Sequence, residues 1–153
     1  SHTHLFEGEL HWTGQAGADE HGKLMLERAF ELRFEGKAPL EGSSPAVFRG
    51  DDSRHNPETL LVASLMACHH LTYLAVCERA GIRLLEYRDS GTGTLAMKDG
   101  KMRMVEVRLA PQVRIADAAQ LDQARELHSK AHAHCFISNS VNFEVKVEPA
   151  VTA

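Results

Sequence analysis

The sequence predicts a single α+β domain over residues 1–153, on three observations. Two long segments carry helix signals at their ends. The stretches before, between and after them show the two-residue alternation of strands. The strands come in runs rather than one per helix, which argues against a doubly wound parallel sheet. A chain of 153 residues buries enough surface to fold without a disulfide staple.

Residues 4–13 and 24–35 read as extended, the second on the spacing of Leu24, Leu26, Phe30, Leu32 and Phe34. Thr13 to Gly22 is the turn between them. Residues 36–55 are rich in Gly, Pro and Ser, and so long a loop inside a compact domain is often functional. The strongest helix follows, over 57–80. Asn56 suits its N-cap, Pro57 its first turn and Glu58 the positive end of its dipole. Gly81 is its natural stop. From Leu60 to Val76 it is apolar on nearly all sides, so it is expected at the centre of the fold. Residues 84–97 and 102–115 read as a strand pair, with Asp99-Gly100 at the turn. Asp117 caps a second helix running to about Ala133, with Gln120 as capping-box partner. Residues 142–149 form a last strand on Phe143, Val145 and Val147.

Composition is that of a soluble globular protein, with 43% hydrophobic and 25% charged residues and a net charge of -4. No basic stripe supports nucleic-acid binding, and no apolar run of 18 residues predicts a membrane span. No signal-peptide pattern is expected, and an odd count of three cysteines is unlike a secreted disulfide framework. A cytoplasmic protein with reduced thiols is the expectation.

The chemistry is expected at Cys68, inside the first helix, and Cys135, where the second should end. Cys77 lies nine residues beyond Cys68, about 180° around the helix, so these two cannot pair and Cys77 reads as a small buried hydrophobe. Ser64 and Thr72 flank Cys68 at helical spacing and could hydrogen-bond its sulfur. His128, His132 and Cys135 can share a stripe. A metal held by Cys68, His69, His132 and Cys135 therefore competes with thiol redox chemistry, although no Cys-x2-Cys knuckle is present. In the redox reading, Cys68 attacks a peroxide and Cys135 condenses with the product. A cation should favour the thiolate. Arg54 is the nearest in sequence, and Glu58 could orient it. Their plainer reading is a solvated loop arginine and a helix-dipole glutamate.

Two motifs then carry a resemblance. Asn56-Pro57-Glu58-x-Leu60-Leu61 through Ala67-Cys68-His69, and His128-x-Lys130-Ala131-His132-x-His134-Cys135-Phe136-Ile137-Ser138-Asn139-Ser140-Val141, closely resemble the OsmC/Ohr family of osmotically inducible and organic hydroperoxide resistance proteins, its OsmC-like branch more than the Ohr branch. The resemblance covers nearly the whole chain. It implies an OsmC-like fold, with antiparallel sheets packed around two central helices in an intertwined homodimer whose active sites lie at the subunit interface. It implies a cysteine-based peroxidase of the oxidative stress response. Cys68 would be the peroxidatic thiol, Cys135 the resolving one, Glu58 the motif glutamate, the substrate an organic hydroperoxide and the reductant a dithiol. No metal, flavin or other cofactor is implied. One departure stands out. The hydroperoxide-resistance branch carries its arginine in the first hairpin turn, whereas Thr13-Gly14-Gln15-Ala16-Gly17-Ala18 has none. Arg54, Arg49 or Arg28 are the replacements, and a non-catalytic protein binding a small ligand or sensing redox state is the alternative function.

Overall fold

A computed structural model describes residues 2–153. They fall into two compact units, the first ending at Pro57 and the second beginning at Glu58.

The N-terminal unit is all strand and loop. Strands β1 (Glu9–Trp12), β4 (Phe30–Arg33) and β5 (Leu40–Gly42) form one antiparallel sheet in the order β1-β4-β5. Strands β2 (Ala16–Ala18) and β3 (Leu24–Leu26) pair separately. The two expected extended segments are therefore each interrupted. Gly14 leaves no room for a Cβ beside the Glu27 backbone, and Glu27 bridges the break: its carboxylate accepts from the Gln15 N–H at 2.8 Å, and its carbonyl accepts from Trp12 Nε1 at 2.7 Å. The tip is an Asx turn in which Asp19 Oδ1 accepts from the N–H groups of His21 and Lys23. The expected loop 36–55 holds β5 and a 3-10 turn at Ala46–Phe48. It is tied to itself by Asp51 N–H to Ser43 Oγ and Ala46 N–H to Asp52 Oδ1. Leu10, Trp12, Leu24 and Leu26 stay exposed in the single chain.

The C-terminal unit carries both helices, α1 (Pro57–Ala80) and α2 (Leu121–His134). The α1 limits match the sequence expectation, and the stop at Gly81 acts as expected. Gly81 takes φ 71°, and the Gly81 and Ile82 N–H groups close on the carbonyls of Glu78 and Cys77, the Schellman pattern. A Cβ at Gly81 would meet no atom, so Gly81→Ala tests the backbone alone. It should cost about 1 kcal/mol, read as a lower urea midpoint at unchanged slope.

The strand pair expected over 84–115 is in fact four strands. β7 (Thr92–Lys98) and β8 (Lys101–Leu109) make the hairpin at Asp99-Gly100. β6 (Leu84–Asp89) and β9 (Pro111–Ile115) pair in a different sheet. The closing strand also divides, into β10 (Glu144–Val147) and β11 (Ala150–Thr152). β10 runs parallel to β8, and β11 parallel to β9. Both sheets, β10-β8-β7 and β11-β9-β6, thus add one parallel edge strand to an antiparallel pair. The capping box is corrected too. Asp117 accepts from the Ala119 N–H and caps a 3-10 turn, while the Gln120 side chain donates to the Gly81 carbonyl.

Helix α1 buries Leu65, His69, Tyr73, Val76 and Cys77, spaced as one stripe. Tyr73, Val76 and Cys77 enter one core with Val113, Ile115, Ala124 and Val151, and Leu65 enters another with Val107, Leu109 and Val145. The opposite face, with Leu71 and Leu74, is open in the single chain. The single chain therefore buries one face of this apolar helix. By length and hydropathy α1 could cross a bilayer, despite the expectation of no such segment. The Tyr73 hydroxyl donating to the Ala124 carbonyl on α2 marks it as a core helix.

Candidate active site

Cys68 lies beside the buried stripe of α1, partly exposed. Cys135 ends α2 with an extended backbone, and its side chain is 1% exposed. Helix α2 cannot continue past it, and the chain turns at once into a 3-10 turn at Ser138–Ser140. That turn points its N–H groups at sulfur. Ser138 N–H donates to Cys135 Sγ at 3.4 Å, and the N–H groups of Ile137 and Phe136 donate to Cys68. The two thiols hydrogen-bond to each other, and both are free.

These contacts divide the thiols by acidity. Burial pushes Cys68 up, but the hydrogen bonds from Ile137, Cys135, Phe136 and Thr72 outweigh it and leave its pKa below the ordinary value. Burial pushes Cys135 up to about 11, and its bond to Cys68 adds to the rise. Cys68 is therefore the more acidic thiol of the two and Cys135 the one that holds its proton more strongly. Cys77 is also pushed up, by burial, and stays an inert thiol. Of the two expected hydroxyls, Ser64 donates to the Leu61 carbonyl, and Thr72 donates to the Cys68 carbonyl at 2.8 Å while also reaching the sulfur.

Cys68 opens into a cavity of about 700 Å³ walled by Ala67, Leu71, Ala75, Val76 and Phe136. No guanidinium or ammonium is among the groups that set the Cys68 acidity. Glu58 sits in the first turn of α1, ten residues and about 15 Å along the axis from Cys68. Arg54 forms ion pairs with Glu41 and Asp51, each at 3.8 Å, inside the N-terminal unit. There Arg28, Arg49 and Arg54 line one cavity of about 340 Å³, so the three arginines weighed from sequence share a site of their own.

The competing metal reading loses its ligand set. His69 turns away from the thiols, and its Nε2 meets His128 Nδ1 at 3.0 Å. Among the described residues no three His, Cys, Asp or Glu side chains converge on a point suited to a metal ion. The buried His69–His128 pair, with Tyr73 stacked on His128 at 3.8 Å between centroids, is a feature that sequence reading missed.

The sequence model of OsmC-like proteins matches residues 50–150. The chain belongs to the OsmC-like protein family. The structure of an OsmC-like protein of unknown function from Vibrio cholerae superposes with a TM-score of 0.86 at 28% identity, over 97% of this chain and all of that one. Two organic hydroperoxide resistance proteins share the fold. One, from Bacillus subtilis, has a TM-score of 0.66 at 23% identity, over 96% of this chain and 100% of that one. The other, from Elizabethkingia anophelis, has a TM-score of 0.65 at 23% identity, over 92% and 96%. No curated protein matches the chain. In this chain Cys68 and Cys135 act on each other's acidity, and Cys68 lines a largely apolar cavity.

Proposed function

We propose that the protein is a thiol-dependent peroxidase that reduces organic hydroperoxides. The observation that carries this reading is the hydrogen-bonded Cys68–Cys135 pair, one thiol acidified and the other held protonated, at an apolar cavity. The Cys68 thiolate attacks the peroxide. The S–O bond forms, the O–O bond breaks, and the alkoxide leaves and takes up a proton as the alcohol. Cys68 is now a sulfenic acid, oxidised by two electrons. Cys135 attacks that sulfur, the S–S bond forms, and hydroxide departs as water with the Cys135 proton. An external dithiol reduces the disulfide and is itself oxidised to a disulfide. The part of Glu58 as the motif glutamate rests on the family resemblance, and that of Arg54 as the cation favouring the thiolate rests on its nearness in sequence.

Assembly as a homodimer belongs to the same proposal. It is supported by the apolar side chains that the single chain leaves open, Leu10, Trp12 and Leu24 on the strands and Leu74 on α1. A monomeric mass by light scattering would contradict it. The cytoplasm, with its supply of reducing thiols, is the proposed compartment.

The test is a thiol count under denaturing conditions, before and after one equivalent per chain of cumene hydroperoxide. The expected result is a fall from the three thiols of the sequence to one, with Cys77 the survivor. An unchanged count rejects the peroxidase. A second reading, a non-catalytic ligand-binding protein, is favoured by the lack of a cation among the groups acting on Cys68. It predicts ligand-dependent stabilisation without peroxide consumption.

A further inference from the structure

The cavity of the N-terminal unit, about 340 Å³, draws its wall from two stretches of chain, residues 25–29 and the loop 43–54. Hydrogen bonds fix both. Beside Arg28, the Glu27 N–H donates to the Gln15 carbonyl and the Ala29 carbonyl accepts from the Thr13 N–H, each at 3.0 Å. In the loop, the Arg49 N–H donates to the Ala46 carbonyl and the Arg54 N–H to the Asp51 carbonyl. Arg49 takes φ 68°, a left-handed backbone uncommon for a residue other than glycine. Gly50 turns so tightly that a Cβ there would lie 1.6 Å from the Ser44 carbonyl oxygen. The loop therefore presents its guanidiniums from a fixed frame. Arg54 is shared by Glu41 and Asp51. Arg28 donates to the Leu26 carbonyl, and neither Arg28 nor Arg49 takes part in an ion pair among the described residues. The wall sets three guanidiniums against two carboxylates, Glu27 and Asp51, and Glu27 already accepts from the Gln15 N–H. In a chain of net charge -4, this concave patch of positive charge suits an anion.

We propose that this cavity binds a phosphate group, free or carried by a small organic monoester, and that Arg28 and Arg49 hold it. The inference concerns a site other than the thiols and does not rest on the peroxidase reading. The supply of donors selects the kind of anion. Each guanidinium offers five N–H groups in a planar fork. Two forks from separate stretches of chain exceed what the two oxygens of one carboxylate engage. They match a phosphate monoester, with its three terminal oxygens and nearly double charge. Met25, Leu26 and Ala29 give the wall an apolar side, against which the organic part of an ester can lie. Both guanidiniums are exposed, so binding weakens as salt is raised.

The experiment uses the full chain and its Arg28→Gln/Arg49→Gln variant, with Arg49→Gln alone where the double variant has a lowered urea midpoint. Binding of inorganic phosphate, phenyl phosphate and benzoate is measured by calorimetry in chloride buffers of matched ionic strength. The expected result is that both phosphates bind the unaltered chain, that benzoate binds far more weakly, and that the variant loses about tenfold in affinity for each phosphate. Tighter binding of phenyl phosphate identifies an ester as the ligand, and equal affinities identify free phosphate. Either upholds the site. Failure of both phosphates to bind the unaltered chain overturns the inference, as does benzoate binding as tightly as phenyl phosphate. Affinity unchanged in the variant overturns the assignment to Arg28 and Arg49. Arginines that instead serve the thiol of a second copy predict slower reaction of Cys68 with iodoacetamide in the variant and no phosphate binding. That result also overturns the inference, and it leaves the peroxidase reading intact.

Discussion

Replacing Cys68 with serine should reduce hydroperoxide consumption to the uncatalysed background. The reason is electronic rather than steric. The hydrogen bonds from Ile137, Cys135, Phe136 and Thr72 favour a thiolate at Cys68, whereas a serine hydroxyl has no comparable anion near neutral pH. Cys135→Ser should behave differently. It leaves the attacking thiolate in place but removes the sulfur that would condense with the sulfenic acid. One equivalent of alcohol should form per chain, after which the enzyme stalls and Cys68 climbs to the sulfinic acid under excess peroxide. Cys77→Ser should keep turnover and lose about 1 kcal/mol of stability, because a hydroxyl replaces a buried, inert thiol beside Tyr73. Initial rates, single-turnover alcohol yield and mass spectrometry of the three variants separate these outcomes. Retained turnover in Cys68→Ser rejects the mechanism. The pH profile carries a sign as well. Because Cys68 titrates below an ordinary thiol, its reactivity should persist toward neutral pH and fall as the pH drops through that lowered value.

The Cys68–Cys135 meeting was legible because each cysteine sits in a long motif with strong local signals. Helix α1 could be delimited by Pro57 and Gly81, whose backbone requirements are local. What local patterns hid was decided at a distance. The break at Ser90-Gly91 carries a turn dipeptide inside residues 84–97, which read as one strand, but the sequence does not say where each half pairs. It exists because β6 joins β9 while β7 joins β8. The parallel pairing of β10 with β8 joins residues about 38 positions apart, such as Glu144 and Glu106. No hairpin turn announces such a pair. The histidine-rich second motif was visible without an explanation. A signal was nevertheless there. His69 falls at helical spacing between Leu65 and Tyr73, and His128 between Ala124 and Ala131, so each shares the face of its own helix that ends up buried.

That buried pair makes acid the condition to which the fold should be most sensitive. His69 and His128 are 1% and 2% exposed and share one hydrogen bond of 3.0 Å between Nε2 and Nδ1. Their outer nitrogens, His69 Nδ1 and His128 Nε2, have no partner. Burial first, then the charges of His132 and His70, lowers His69 to about 4. Burial, then His69, lowers His128 to about 3. Unfolding returns both to about 6.5, so between these values the unfolded chain binds protons that the folded chain refuses. Stability is therefore complete above about pH 6.5 and is lost as the pH falls toward 4 and 3. Each histidine contributes up to about 1.4 kcal/mol per pH unit. The loss by pH 4.5 is on the order of 4 kcal/mol, a large part of a typical domain's total. The buried Asp89 carboxyl, raised by burial, works in the opposite direction and offsets a fraction. Urea unfolding at pH 7.5 and at pH 5 measures the loss directly. His69→Leu alone should cost about 1–3 kcal/mol at pH 7.5, because it strands the His128 nitrogen in the core. Replacing both histidines with leucine should cost less than the sum of the two single changes and should flatten the acid limb. A wild-type unfolding free energy that does not change between pH 7.5 and 5 would mean that the pair titrates as it does in water, and that its burial does not hold it neutral.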